Sequence, residues 1–168
     1  MKHIFRYSLI LAVAVVAACT FRYSFSGASI SPDARTFSVA FFPNMAPLVN
    51  PVLSAEFTDA LTLRFLSNTR LSQIDDDGDL AFEGAITNYM VSPLAITAGE
   101  VAAMNRLTIA VQVKFENRID PSQNFDRSFS QFEDYDSQQD LAAVEATLVE
   151  EIVAKLIDDI FNASVANW

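Results

Sequence analysis

Residues 105–117 read NRLTIAVQVKFEN, and the pattern in them decides the fold. Leu107, Ile109, Val111, Val113 and Phe115 recur at every second position, while Arg106, Thr108, Ala110, Gln112 and Lys114 fill the places between. Successive side chains of a β-strand point to opposite faces, so this stretch predicts a strand with one buried face and one solvated face. Such a strand suits a sheet covered on one side only.

The flanking sequence supplies its neighbours. LAFEGAITNYMV (residues 80–91) predicts a long strand ending at Pro93, and FDRSFSQFEDY (residues 125–135) another, with Phe125 and Phe129 on one face. NRIDPSQN (residues 117–124) is a turn. Further upstream, RTFSVAFFP (residues 35–43) predicts a strand that directs Phe37, Val39 and Phe41 to the core and stops at Pro43. RLSQI (residues 70–74) is a short strand, and DDDGD (residues 75–79) a turn in which Gly78 is expected to take a positive φ.

Two segments carry helical spacing instead. Asn50 and Pro51 are expected as N-cap and first-turn proline of a helix whose apolar stripe is Leu53, Phe57, Leu61 and Phe65, ending near Asn68. Ser137, with Asp140 three residues on, resembles a capping box before the stripe Leu141, Val144, Leu148, Ile152, Leu156 and Ile160. Two one-sided helices and a one-sided sheet satisfy one another in a two-layer α+β sandwich, two helices packed on a mixed sheet of about four strands. Residues 35–168 are expected to form that single domain, with no internal repeat.

The N-terminus has a different character. Lys2, His3 and Arg6 precede an apolar run from Tyr7 to Ala18 broken only by Ser8. That run is shorter than the roughly 20 residues needed to span a bilayer. It closes on Val16-Ala17-Ala18-Cys19, which resembles a bacterial lipobox. Residues 1–18 are thus expected as a lipoprotein signal peptide, Cys19 as the lipid-modified mature N-terminus, and residues 19–34 as a tether. Several acyl chains on one residue anchor firmly where one alone anchors marginally.

Removing residues 1–18 leaves 150 residues, with 9 basic against 21 acidic side chains and a net charge of −12. That balance argues against nucleic acid as a partner, because phosphate binding needs clustered Lys and Arg. The only histidine, His3, lies in the signal, and Cys19 is the only cysteine. Ser-His and Cys-His catalysis and His- or thiolate-ligated metals are therefore excluded from the mature chain. No enzyme, cofactor or metal site is expected. Asp75–Asp79 lacks the alternating ligands of a calcium loop and reads as a solvated turn. The acids around Tyr135 (Glu133, Asp134 and Asp136) would need a pocket in which two of them converge to act as general acid and base.

Basic residues are few, so their placement matters. Arg106 and Lys114 share the polar face of one strand, and Arg127 is expected on a neighbour. This strip could receive an anionic ligand such as a lipid phosphate, and it could equally pair across strands with Glu83 or Glu116.

The segments YSFSGASI, TFSVAFFPNMAPLVNPVLSAEFTDAL, GDLAFEGAITNY, NRLTIAVQVKFEN, SFSQFEDYDS and VANW together resemble the LptE family of lipopolysaccharide-assembly lipoproteins, most of all its Bacteroidetes-type members. They span nearly the whole mature chain, and none is a catalytic signature. The resemblance implies a small α+β domain lipid-anchored in the Gram-negative outer membrane, facing the periplasm or a barrel lumen. It implies an LptD-like outer-membrane β-barrel as partner, which the domain plugs and helps assemble, and lipopolysaccharide as the lipid inserted into the outer leaflet. Thr20 after the cysteine is compatible with sorting to that membrane. Two other readings stay open at this point. One is a free-standing lipoprotein that binds a lipid or glycan, marked by a deep cavity between helices and sheet; the other is a carboxylate hydrolase centred near Tyr135.

Overall fold

The computed structural model describes residues 30–48, 50–94 and 104–165. Signal, Cys19, Thr20, most of the tether and the closing VANW beyond Val165 lie outside them. Along the chain run β1 (Thr36–Val39), α1 (Leu53–Asn68), β2 (Ser72–Gln73), β3 (Leu80–Pro93), β4 (Met104–Asn117), β5 (Phe125–Asp136) and α2 (Leu141–Val165), with a 3₁₀ turn at Pro121–Gln123. The strands form one five-stranded sheet in the order β2-β1-β3-β4-β5. β1 runs parallel to both its neighbours, and β3, β4 and β5 form an antiparallel meander. Both helices pack on one face of this mixed sheet, so the α+β sandwich is as the alternation predicts. The fifth strand is the two-residue edge β2.

The predicted stripes form the core. Leu107, Ile109, Val111, Val113 and Phe115 of β4 are fully buried, as are Leu53, Phe57, Leu61 and Phe65 of α1. From α2 come Leu148, Ile152, Leu156 and Ile160, with Leu141 and Val144 half-buried at its start. Phe65 ties the layers together, its ring centroid 4.8 Å from Phe82, 5.1 Å from Phe161 and 5.5 Å from Phe37. Aromatic contacts at this spacing add to the burial of large apolar area.

Three local expectations are corrected. β1 stops at Val39, and Phe42 rather than Phe41 enters the core: Phe41 is 62% exposed and Phe42 0%. Beyond Val39 the chain runs on beside β3, with Met45 N–H donating to Ile86 O and Ile86 N–H to Pro43 O. The Phe42 ring fills the space over Gly84, where a Cβ would stand 2.7 Å from it. In the DDDGD turn the positive φ (58°) belongs to Asp77, not Gly78. Gly78 is required for a different reason, since a Cβ there would lie 2.5 Å from the Ser38 backbone nitrogen. The caps also shift. Asn50 Oδ1 accepts from Val52 N–H and closes a turn ahead of α1, while Asp140 rather than Ser137 stands at the start of α2, accepting from Ala142 N–H.

Candidate functional site: the open face of the sheet

Among the described residues no layer covers the other face of β3, β4 and β5, and strand register arranges its residues in rows. Glu83, Lys114 and Asp126 form one row, followed by Ala85, Gln112 and Ser128, then Asn88, Ala110 and Ser130. Met90, Thr108 and Phe132 come next, and Ser92, Arg106 and Asp134 complete the set. Charges therefore lie towards the two ends of the face, with small and polar side chains between them. Met90 and Phe132 make an apolar step, 49% and 42% exposed.

The candidate basic residues are paired. Arg106 holds Asp134 through two parallel hydrogen bonds of 2.7 and 2.9 Å, and its guanidinium lies 3.6 Å from the centre of the Phe132 ring. This bidentate contact holds the Asp134 carboxyl below the usual carboxylate range. Lys114 Nζ stands 3.6 Å from Glu83 across the sheet and 2.7 Å from Glu116, which lies two residues on along β4 itself rather than on a neighbouring strand. Arg127 does not join them. It registers with Val113, on the helix side, and its guanidinium covers the rings of Phe129 and Phe125 at 4.7 and 4.9 Å. The sequence carried this signal, because Arg127 lies in phase with Phe125 and Phe129.

The acids around Tyr135 separate by the same alternation. Glu133 faces the helices and pairs with Lys155, Asp134 faces the open side, and Tyr135 is buried. Asp136 shares the open side with Asp134, which is held by Arg106, and only Glu133 of the three acids lies on the helix side. In the DDDGD turn, Asp79 Oδ2 accepts from the N–H groups of Arg35 (2.8 Å) and Thr36 (3.0 Å) and from Thr36 Oγ1 (3.0 Å). The Arg35 N–H foremost, then that of Thr36, holds the Asp79 carboxyl below its ordinary value. Asp77 pairs with Arg118. These carboxylates are engaged by protein donors. Among the described residues no group of three or more His, Cys, Asp or Glu is placed to hold a metal ion.

One polar cluster has no signature in the sequence. Tyr89, buried on β3, donates its hydroxyl to Glu145 Oε1 on α2 at 2.5 Å, and Asn50 Nδ2 donates to the same oxygen at 2.9 Å. Burial foremost, then the Glu145 carboxylate, raises the Tyr89 hydroxyl above its usual range. The cluster ties the chain before α1 to both β3 and α2. The layer between helices and sheet is filled by Phe37, Phe57, Phe65, Phe82 and Phe115, all fully buried. The open face is a surface for contact rather than a pocket.

The fold recurs in solved structures. A minor lipoprotein from Acinetobacter baumannii is 12% identical, with a TM-score of 0.52 over 77% of this chain and 91% of its own. A hypothetical protein from Chlamydia trachomatis is 8% identical, with a TM-score of 0.54 over 80% and 99%. A protein from Xanthomonas campestris is 14% identical, with a TM-score of 0.51 over 80% and 88%. At these identities the likeness is one of fold. A comparison with curated protein sequences finds no match. The sequence model of LptE, described as lipopolysaccharide-assembly, matches residues 34–164, which takes in every strand of the sheet and both helices except Val165 at the end of α2. The chain belongs to the LptE family of lipopolysaccharide-assembly proteins.

Proposed function

We propose that this chain is an outer-membrane lipoprotein, anchored through acylated Cys19, that plugs and helps assemble an LptD-type β-barrel and assists insertion of lipopolysaccharide into the outer leaflet. The observation that carries the proposal is the family match across the whole described domain. The open sheet face supports it. A flat surface whose cations are already paired, with a small-residue centre, can lie against the polar wall of a barrel lumen without stranding charge. The role is one of binding and assembly, with no covalent chemistry.

Where lipopolysaccharide phosphate meets this face, Arg106 and Lys114 are the residues that contact it, exchanging Asp134 and Glu116 for phosphate oxygens. Arg127, on the opposite side of the sheet, is left out of that surface. Purification of the C-terminally tagged protein from native membranes in mild detergent tests the main reading. One large outer-membrane barrel is expected at near-equal amounts, and a Cys19→Ser variant should leave the membrane fraction. Recovery of the anchored protein alone would overturn the barrel assignment.

A further inference from the structure

The outer surface of the helix layer carries a second feature. Between α1 and α2 runs a groove of about 440 Å³ lined by Ala60, Leu63, Arg64, Ser67, Ala154 and Ile157. Ala60 and Ala154 leave room on either side, and Leu63, 60% exposed, forms an apolar wall. Arg64 bridges the groove to Asp158 at 3.0 Å through Nη2, yet its Nε is buried with no hydrogen-bond partner, the one such side-chain atom among the described residues. The guanidinium carbon lies 4.8 Å from the centre of the Phe161 ring, so Arg64 is held between that ring and Asp158 beside the groove.

The chain itself arrives beside this groove. Ile30 packs against the core, and the Ser31 carbonyl accepts from Arg70 Nη2 at 3.2 Å, two residues past Asn68, which lines the groove's end. Upstream of Ile30, residues 20–26 read TFRYSFS, with Phe21, Tyr23 and Phe25 at every second position. In an extended segment these three rings share one side, while Arg22 and Ser24 share the other. Five residue steps lead from Phe25 to Ile30, a reach of about 17 Å, and Phe21 to Phe25 would cover about 13 Å. The groove from Ala60 to Asn68 is about 12 Å long at the helical rise. Charge agrees as well: α1 and α2 together bear seven acids against Arg64 and Lys155, so Arg22 is attracted to that layer.

We infer that residues 20–26 of the same chain dock in the α1–α2 groove with Phe21, Tyr23 and Phe25 turned inward. Docking places Cys19 beside the helices, so a lipid on it holds the helix layer towards the membrane and leaves the open sheet face free.

The test uses the full chain in native membranes with a photoreactive benzoylphenylalanine in place of Tyr23. Illumination is expected to give an adduct within one chain, mapping to peptides that contain Ala60–Asn68 or Ala154–Asp158. Ala154→Trp, at an exposed position, fills the groove and should lower that adduct at least about ten-fold, with an unchanged circular-dichroism spectrum and thermal midpoint as the control for folding. Adducts solely with lipid, with a second copy or with another protein would overturn the inference. So would a groove adduct indifferent to Ala154→Trp. Neither result depends on whether a barrel co-purifies.

Discussion

Phe65 is where the two layers are joined, and its truncation tests the architecture most directly. The side chain is fully buried and touches three rings on three other elements: Phe37 of β1, Phe82 of β3 and Phe161 of α2. Removing a buried phenyl ring loses its transfer free energy and leaves a cavity whose walls relax only in part, a cost of about 3–5 kcal/mol. The contact with rings on three elements places Phe65→Ala at the upper end, because collapse would have to move both helices and the sheet. Phe41→Ala is the matched control: the same atoms are removed from a side chain that is 62% exposed, and the effect should stay within about 0.5 kcal/mol. Urea unfolding of a form lacking residues 1–19, followed by circular dichroism, reads both, with midpoint separated from slope. In a chain of this size, about 4 kcal/mol corresponds to a fall of roughly 8–16 °C in Tm. A loss under about 1 kcal/mol for Phe65→Ala with an unchanged slope would refute the packing described for α1. A large loss for Phe41→Ala would refute the exchange of Phe41 for Phe42.

Gly84→Ala places a Cβ 2.0 Å from the Gln112 carbonyl oxygen and 2.7 Å from the Phe42 ring, so β3 and β4 must part; a loss of about 3 kcal/mol or more, or failure to fold, is expected in the same assay. Asp79→Asn removes the charge that receives two backbone N–H groups and a hydroxyl, which should cost about 1 kcal/mol near neutral pH. Because the Asp79 pKa is lowered on folding, its contribution is present above the unfolded value near 3.8 and is lost as pH falls through the lower folded value. The stability difference between wild type and Asp79→Asn should therefore be flat from about pH 5 to 8 and close at more acidic pH. A difference that grew on acidification would contradict the assignment.

The elements were legible wherever a periodic pattern ran long enough to set its own phase. β4 alternates over a dozen residues and α1 repeats every four, so both reach the core as read. Phe41 and Phe42 were not legible, because the choice between them is made by the vacancy above Gly84, some forty residues away in sequence. The pairing of Lys114 was readable from its own strand, and that of Arg106 with Asp134 required the register of β5. The Asn50–Tyr89–Glu145 cluster joins three distant segments through one carboxylate oxygen, and no local spacing announces it.

The position of β1 in the sheet bears on the order in which the chain can fold. β1 lies between β2 and β3, and Val39 meets Phe82 only after more than forty further residues have been made. The β3–β4–β5 meander, by contrast, pairs neighbours in sequence and closes short loops. A chain emerging from its N-terminus thus presents Phe37 and the α1 stripe before any sheet exists to receive them. Phe37 and the apolar stripe of α1 stay unburied, or are held by another protein, until the meander offers its edge. A factor that holds the unfolded domain should therefore recognise β1 and the apolar stripe of α1.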